Sequence, residues 1–156
     1  MELKSEWKTR LLSDIAQFKN GKKRPMSKGS IPVYGGNGIL SFTDQSNFEN
    51  CVVIGRVGAY CGNVFYEPGK IWVSDNAIAA LSRNNADIVY VYYLLRSLEL
   101  NRRCIGTGQP LLTQNILNNI EVCIPDLQIQ RKIANVLSAF DRKIELNKQI
   151  NNHLAA

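Results

Sequence analysis

The sequence predicts an α/β body of the α+β kind, with a mixed, hairpin-rich β-sheet and packed helices, followed by a long C-terminal helix of coiled-coil type. Three observations predict it. Residues 31–81 break into short runs rich in Val, Ile, Phe and Tyr, separated by glycine and proline turns, as strands joined by hairpins do. Residues 87–100 place apolar side chains three or four apart, the period of a helix lying on a sheet. From Asp126 onward one apolar stripe continues almost to the last residue, longer than one face of a small domain needs.

In chain order, a short helical or turn element is expected near Ser13 to Ala16, leading into a basic loop, KNGKKRPMSK, broken by Gly21 and Pro25. Ile31 to Tyr34 reads as an extended run entering a glycine turn. Successive strands are expected at Cys51 to Ile54, Asn63 to Tyr66, Ile71 to Val73 and Ala77 to Leu81, with GRVGAYCG and EPGK as turns between them. Asp87 is placed to cap the helix that follows, in which Ile88, Val91, Tyr92, Leu95 and Leu98 share a face. Thr113 is placed to cap a short helix through Leu117, and IEVCIP reads as a strand stopped by Pro125.

Asp126 then caps the terminal helix, whose stripe runs Ile129, Ile133, Leu137, Phe140 and Ile144, and after a polar Asn147 continues through Ile150 and Leu154. Such a helix spans about 43 Å at 1.5 Å per residue, so its distal part requires a partner. Asn147 within the seam is the kind of residue that sets register between paired helices. The alternative is an ordinary helix folded back on its own body. The expected division is a body over residues 1–124 and a pairing helix over 125–156.

With 156 residues at 45% hydrophobic composition, the chain suffices for one core. No apolar run approaches the ~20 residues of a membrane helix, and the charged start lacks a secretory core, so a cytoplasmic protein without membrane contact is expected. Cys51, Cys61, Cys104 and Cys123 form no CxxC pair, and His153 is the sole histidine, which removes zinc-ligand spacing and leaves four thiols of a reducing compartment as the simplest reading. The net charge of +6 favours an anionic partner, most commonly nucleic acid.

Catalytic signatures are missing from the sequence. One histidine near the end does not serve a serine or cysteine hydrolase, GTG at 106–108 lacks the third glycine of a dinucleotide fingerprint, and no GxxxxGK[ST] loop exists. Pro125, Asp126, Gln130 and Lys132 faintly imitate a Mg²⁺-dependent nuclease motif, but the second carboxylate is missing. A small nuclease therefore stands as the enzyme alternative. A protein-interaction module with an incidental basic loop stands as the binding one.

The sequence resembles the specificity (S) subunit of type I restriction-modification systems, as one target-recognition domain with its following helix. EWKTRLLSDIAQFKNGKKRP is similar to the family's opening pattern through Trp7, Leu12, Asp14, Ile15 and Gly21. IPVYGGNGI, VVIGRVGAYCGNVFY and WVSDNAIAAL resemble its sheet segments. GTGQPLLTQNILNNIEVCIPDLQIQRKIANVLSAFDRKIELN is the most specific match, similar to the family's Pro-Leu-x-x-Gln-x-x-Ile-Ala-x-x-Leu-x-x-x-Asp signature; Asp126 stands where a second proline is common, and Ile129 where many members have Glu. Members usually carry two such domains whose helices pair antiparallel as a spacer. This chain then represents either half of a longer subunit or a half-sized protein that dimerises.

The resemblance implies a non-catalytic DNA reader, partnered by double-stranded DNA, by modification (methyltransferase) subunits that bring S-adenosylmethionine, and through them by restriction subunits that use ATP and Mg²⁺. No cofactor is expected on this chain. DNA reading requires phosphate contacts for register and base-edge contacts for sequence. Lys19, Lys22, Lys23, Arg24 and Lys28, then Arg102 and Arg103, are candidates for phosphate contact. Asn37, Arg56, Tyr60, Thr107 and Gln109 are candidates for base contact, because Arg bridges guanine O6 and N7 while Asn or Gln bridges adenine N6 and N7. Candidates for helix pairing are Ile133, Leu137, Phe140, Ile144, Asn147, Ile150 and Leu154.

Overall fold

The computed structural model describes residues 7–155. The charged opening at 1–6, which the sequence sets against a secretory leader, lies outside the described residues, as does Ala156. The elements run β1 (Lys8–Leu11), α1 (Leu12–Ile15), β2 (Ala16–Asn20), β3 (Ile31–Gly35), β4 (Gly38–Thr43), β5 (Phe48–Gly55), β6 (Val64–Val73), β7 (Ala77–Ser82), α2 (Ile88–Ser97), α3 (Gln114–Asn118), β8 (Glu121–Ile124) and α4 (Leu127–Leu154). This is the α+β arrangement with a long terminal helix that the periodicities predict.

Six strands form a mixed sheet in the order β2-β7-β5-β6-β3-β4, antiparallel except where β3 and β6 run parallel. Period-two alternation along β5 divides the core. Val52 and Ile54 face one side, where they join Leu12, Ile78, Val91 and Leu95 beneath α2. Cys51 and Val53 face the other, joining Tyr34, Ile71, Val73 and Ala79. Each Val, Leu or Ile among them, fully buried, contributes about 1.5–3 kcal/mol of apolar transfer energy. The sheet curls, because Lys22, just beyond β2, bridges Ser74, just beyond β6.

Several local expectations are corrected. The runs expected as two strands either side of EPGK are one strand, β6. Its register on β5 shifts between Glu49 and Cys51, so Pro68 and Gly69 are absorbed as a bulge, where a missing N–H costs no ladder bond. Lys19 does not lie in the basic loop: it is on β2, whose Ala16 and Phe18 are buried while Gln17 and Lys19 face solvent. A charged side chain there suits an edge strand, which must resist pairing with other chains. β1 and β4 lie outside the expected strands; they are short or mostly exposed and show little alternation.

Cys61 and Cys104 form a disulfide, with Cα atoms 6.6 Å apart, which overturns the reading of four thiols. Spacing hid the pair, since 43 residues separate two cysteines that the fold makes neighbours. Cys51 and Cys123 remain free.

The expected caps are present. Asp87 Oδ1 accepts from Tyr90 N at 2.9 Å, Thr113 Oγ1 from Ile116 N at 3.2 Å and Asp126 Oδ1 from Ile129 N at 3.0 Å. The first turns of α4 are built into the body. Gln130 is buried, accepting from Asp87 N at 3.0 Å and donating to Pro125 O at 3.0 Å, and Ala134 is buried beside it. One face of the helix stays against the body as far as Asp141, and every described residue after it is exposed: Ile144 is 52% exposed, Ile150 54% and Leu154 80%. Among the described residues no helix is long and apolar enough to cross a membrane.

Candidate nucleic-acid interface

Four turns gather at one end of the curled sheet. The β3–β4 turn, Gly36–Asn37, lies against the segment after β5: a Cβ on Gly36 would stand 3.4 Å from Tyr60 Cβ and 3.6 Å from Gly55 Cα. The β6–β7 turn at Ser74–Asn76 is tied to the same segment, because Arg56 N donates to Asn76 O at 3.0 Å. The fourth is a small hairpin over residues 105–111, in which Ile105 and Leu111 exchange backbone bonds of 2.9 and 2.8 Å. Leu111 also bridges Val57, and Gly58 N donates to Pro110 O at 2.9 Å, so this hairpin extends the segment that carries Arg56.

Covalent chemistry reinforces the assembly. The Cys61–Cys104 disulfide joins the segment after β5 to the strand entering the hairpin. Gly106 adopts φ +107°, a left-handed conformation that disfavours any other residue. The hairpin tip is thereby turned sharply, with Thr107 and Gln109 both exposed.

The structure therefore brings Asn37, Arg56, Tyr60, Thr107 and Gln109 onto one rim. Arg56 is half-buried, with Nη1 3.5 Å from Asp75 O and Nε buried without a hydrogen-bond partner among the described residues. Its guanidinium is held over the Ser74–Asn76 turn. Lys22 reaches the rim through backbone bonds: its N–H donates to Val73 O at 3.0 Å and its carbonyl accepts from Trp72 Nε1 at 3.2 Å.

The basic residues are not all together. From Lys22 the loop passes through Lys23 and Arg24 to Ser27, whose Oγ lies 3.0 Å from Thr43 Oγ1. Thr43 pairs with Ile31, at the opposite end of the β3–β4 hairpin from Gly35 and Gly38. Lys28, between Ser27 and Gly29, thus lies beside the far end of that hairpin, whose strand from Ile31 to Gly35 is about 13 Å long at about 3.3 Å per residue. Arg102 and Arg103 flank the disulfide on a 3-10 turn, where Arg102 is engaged with Glu99 at 3.1 Å.

Two exposed residues of the rim, Asp75 and Asn76, escaped the sequence reading. The signal existed: an Asp-Asn pair between two apolar runs marks a tight turn, here closed by Ala77 N donating to Ser74 O at 3.0 Å. On the other side of the body, Ile133 packs partly against the core, while Leu137, Phe140, Ile144, Asn147, Ile150 and Leu154 lie exposed along the rod. Val136 and Leu146, exposed as well, widen that apolar face.

A loop-rimmed α+β body carried on a protruding helix is the class that fold and site define. The chain belongs to the family described as Type I restriction modification DNA specificity domain, which matches residues 4–156. Among curated relatives, the EcoprrI type I restriction enzyme specificity subunit of Escherichia coli is 26% identical over 145 residues, covering 87% of this chain and 36% of that protein. The MjaVIII specificity subunit of Methanocaldococcus jannaschii is 29% identical over 170 residues, covering 96% of this chain and 40% of that protein. The chain thus spans well under half the length of these relatives. Among solved structures, the type I S subunit from M. genitalium superposes with a TM-score of 0.80 at 21% identity, over 93% of this chain and 41% of that one. The HsdS subunit from Thermoanaerobacter tengcongensis gives 0.69 at 17% identity, over 96% and 41%. These two likenesses concern the fold.

Proposed function

We propose that this chain reads one half of a bipartite DNA target for a type I restriction-modification complex, docking the modification subunits and performing no chemistry itself. Family membership from residue 4 to residue 156, spanning body and rod alike, is the observation that carries this reading. The rim supplies a mechanism. Arg56, Asn37, Thr107 and Gln109 offer donors and acceptors of the kind that distinguish base pairs in the major groove, and Lys22, Lys23 and Arg24 offer charge for the adjoining phosphates. Arg102 and Arg103, beside the disulfide that ties two rim segments, and Lys19 on β2 offer further charge for phosphates, while Lys28 adds to the general positive field.

The rod supplies geometry. Paired with an equivalent helix through Leu137, Phe140, Ile144, Asn147, Ile150 and Leu154, with Ile133 at the root of the seam, it holds two readers at a fixed separation. That second helix belongs either to a longer chain or to another copy. The proposed setting is the cytoplasm, with modification subunits bringing the methyl donor and restriction subunits bound through them.

Reconstitution with modification subunits, followed by mapping of methylated adenines across a genome, tests the reading. A bipartite motif with a constant gap is expected. Methylation without sequence preference, or none with a functional methyltransferase, would overturn it.

A further inference from the structure

We propose that Ile105 is a specificity-determining residue that contacts the 5-methyl group of thymine. The inference rests on the DNA-reading role proposed above and assigns one side chain of that surface its chemical target. Leu111 is bridged on one side to Val57 and on the other to Ile105. Directly paired residues of an antiparallel ladder project to the same face, so Val57, Leu111 and Ile105 form one apolar row. Exposure rises along it: Val57 and Leu111 are half-buried and Ile105 is 57% exposed. The next residue, Leu112, alternates to the opposite face and is fully buried, which fixes the row as the outward side.

Isolated exposed apolar side chains are ordinary. Ile105 differs in how firmly it is held. Two backbone bonds to Leu111 anchor it, and its neighbour Cys104 is joined covalently to Cys61. A β-branched side chain on a fixed backbone has little rotamer freedom to lose on contact. It also stands at the root of the hairpin whose tip carries Thr107 and Gln109, the rim's polar candidates. Phosphates and most base edges present only charge or hydrogen-bonding groups; the thymine methyl is the apolar feature of the major groove. The chemistry of the row matches that group.

The test uses the full chain assembled with modification subunits and duplexes carrying its mapped target. Each thymine of the half-site is replaced singly by deoxyuridine, which removes one methyl, and Kd is measured for wild type and Ile105→Ala. Wild type is expected to lose about fourfold at one thymine, from about 0.8 kcal/mol per buried methyl-sized group. Ile105→Ala, with an unchanged melting temperature, is expected to bind the thymine and uracil duplexes equally, and Ile105→Val to retain part of the discrimination. A wild type indifferent to every replacement overturns the proposal, as does a variant that keeps the full discrimination or a half-site with no A·T pair. If the wild-type complex shows no sequence preference at all, the DNA-reading role itself fails, and that result is visible without any variant.

Discussion

The Tyr93 hydroxyl donates to Asp141 Oδ2 across 2.7 Å, joining α2 to the fourth turn of the terminal helix. Arg96, one turn further along α2, places Nη1 3.6 Å from the same carboxylate oxygen. Burial and the neighbouring Asp141 hold the Tyr93 hydroxyl above its ordinary pKa, so it keeps its proton further into alkali than a free tyrosine does. Together with the buried Gln130, these contacts fix the direction in which the rod leaves the body.

That junction is open to a double-mutant cycle. Tyr93→Phe and Asp141→Asn are each expected to cost about 1 kcal/mol in urea unfolding, and the pair less than the sum, with a coupling of about 0.5–1 kcal/mol. Strict additivity would show that the contact does not help to set the rod's direction. Gln130→Ala is expected to cost more, about 2–3 kcal/mol, because the buried Pro125 O and the half-buried Asp87 N both lose their partner.

The position of Lys28 separates two kinds of basic residue. Replacing Lys22, Lys23 and Arg24 with Ala is expected to weaken binding to all DNA sequences alike, lowering the log-log salt slope by about 0.9 for each phosphate no longer neutralised. Lys28→Ala should leave the slope where it was. Equal effects from both variants would mean that the whole loop, and not its rim end, meets the duplex.

Arg56→Ala is expected to act differently, relaxing preference at particular base pairs at a cost of about 1–3 kcal/mol. Binding profiles on a randomised half-site measure this. Uniform weakening across sequences would demote Arg56 to a backbone contact.

Alkali should destabilise the inner face of the sheet. Burial, then Glu67, pushes the Tyr34 hydroxyl from 10.0 up to about 12, and the same two causes push the Cys51 thiol from 9.0 up to about 12. Both groups hold their protons more tightly when folded. Their contribution is therefore complete below pH 9 and is lost as pH climbs towards 12. Urea midpoints across that range should fall for wild type and fall less for Tyr34→Phe. Parallel curves would remove Tyr34 from the account.

The disulfide makes a chemical prediction of its own. Under denaturing, non-reducing conditions, alkylation of air-oxidised protein should label Cys51 and Cys123 only, and reductant should expose Cys61 and Cys104 as well. Reduction is expected to lower stability by about 2–4 kcal/mol. Labelling of all the cysteines without reductant would dissolve the covalent tie between the two rim segments.

Much of the architecture was legible where a residue acts through its immediate neighbours in the chain. The caps Asp87, Thr113 and Asp126 depend only on the next three residues, and the α4 stripe declares itself by spacing. What escaped is non-local. β4 shows no alternation, since its burial depends on which strands flank it at the sheet edge. Pro68 and Gly69 looked like a turn because the bulge that absorbs them is defined by the register on β5. Arg56, Asn37 and Gln109 could be chosen by chemistry, but their assembly on one rim depends on four loops meeting in space. Lys28 shows the converse, a residue adjacent in sequence and remote in the fold.

The pairing of β1 with β8 sets Lys8 opposite Ile124, two residues before the helix cap. The backbone therefore enters and departs the globular part through a single doorway, beside the root of the rod. A unit with its two attachment points so close behaves as a cassette: it can be exchanged for another of the same build while the rod keeps its footing. Under the proposed function, exchanging the whole body would change the target read and leave the pairing helix as it is.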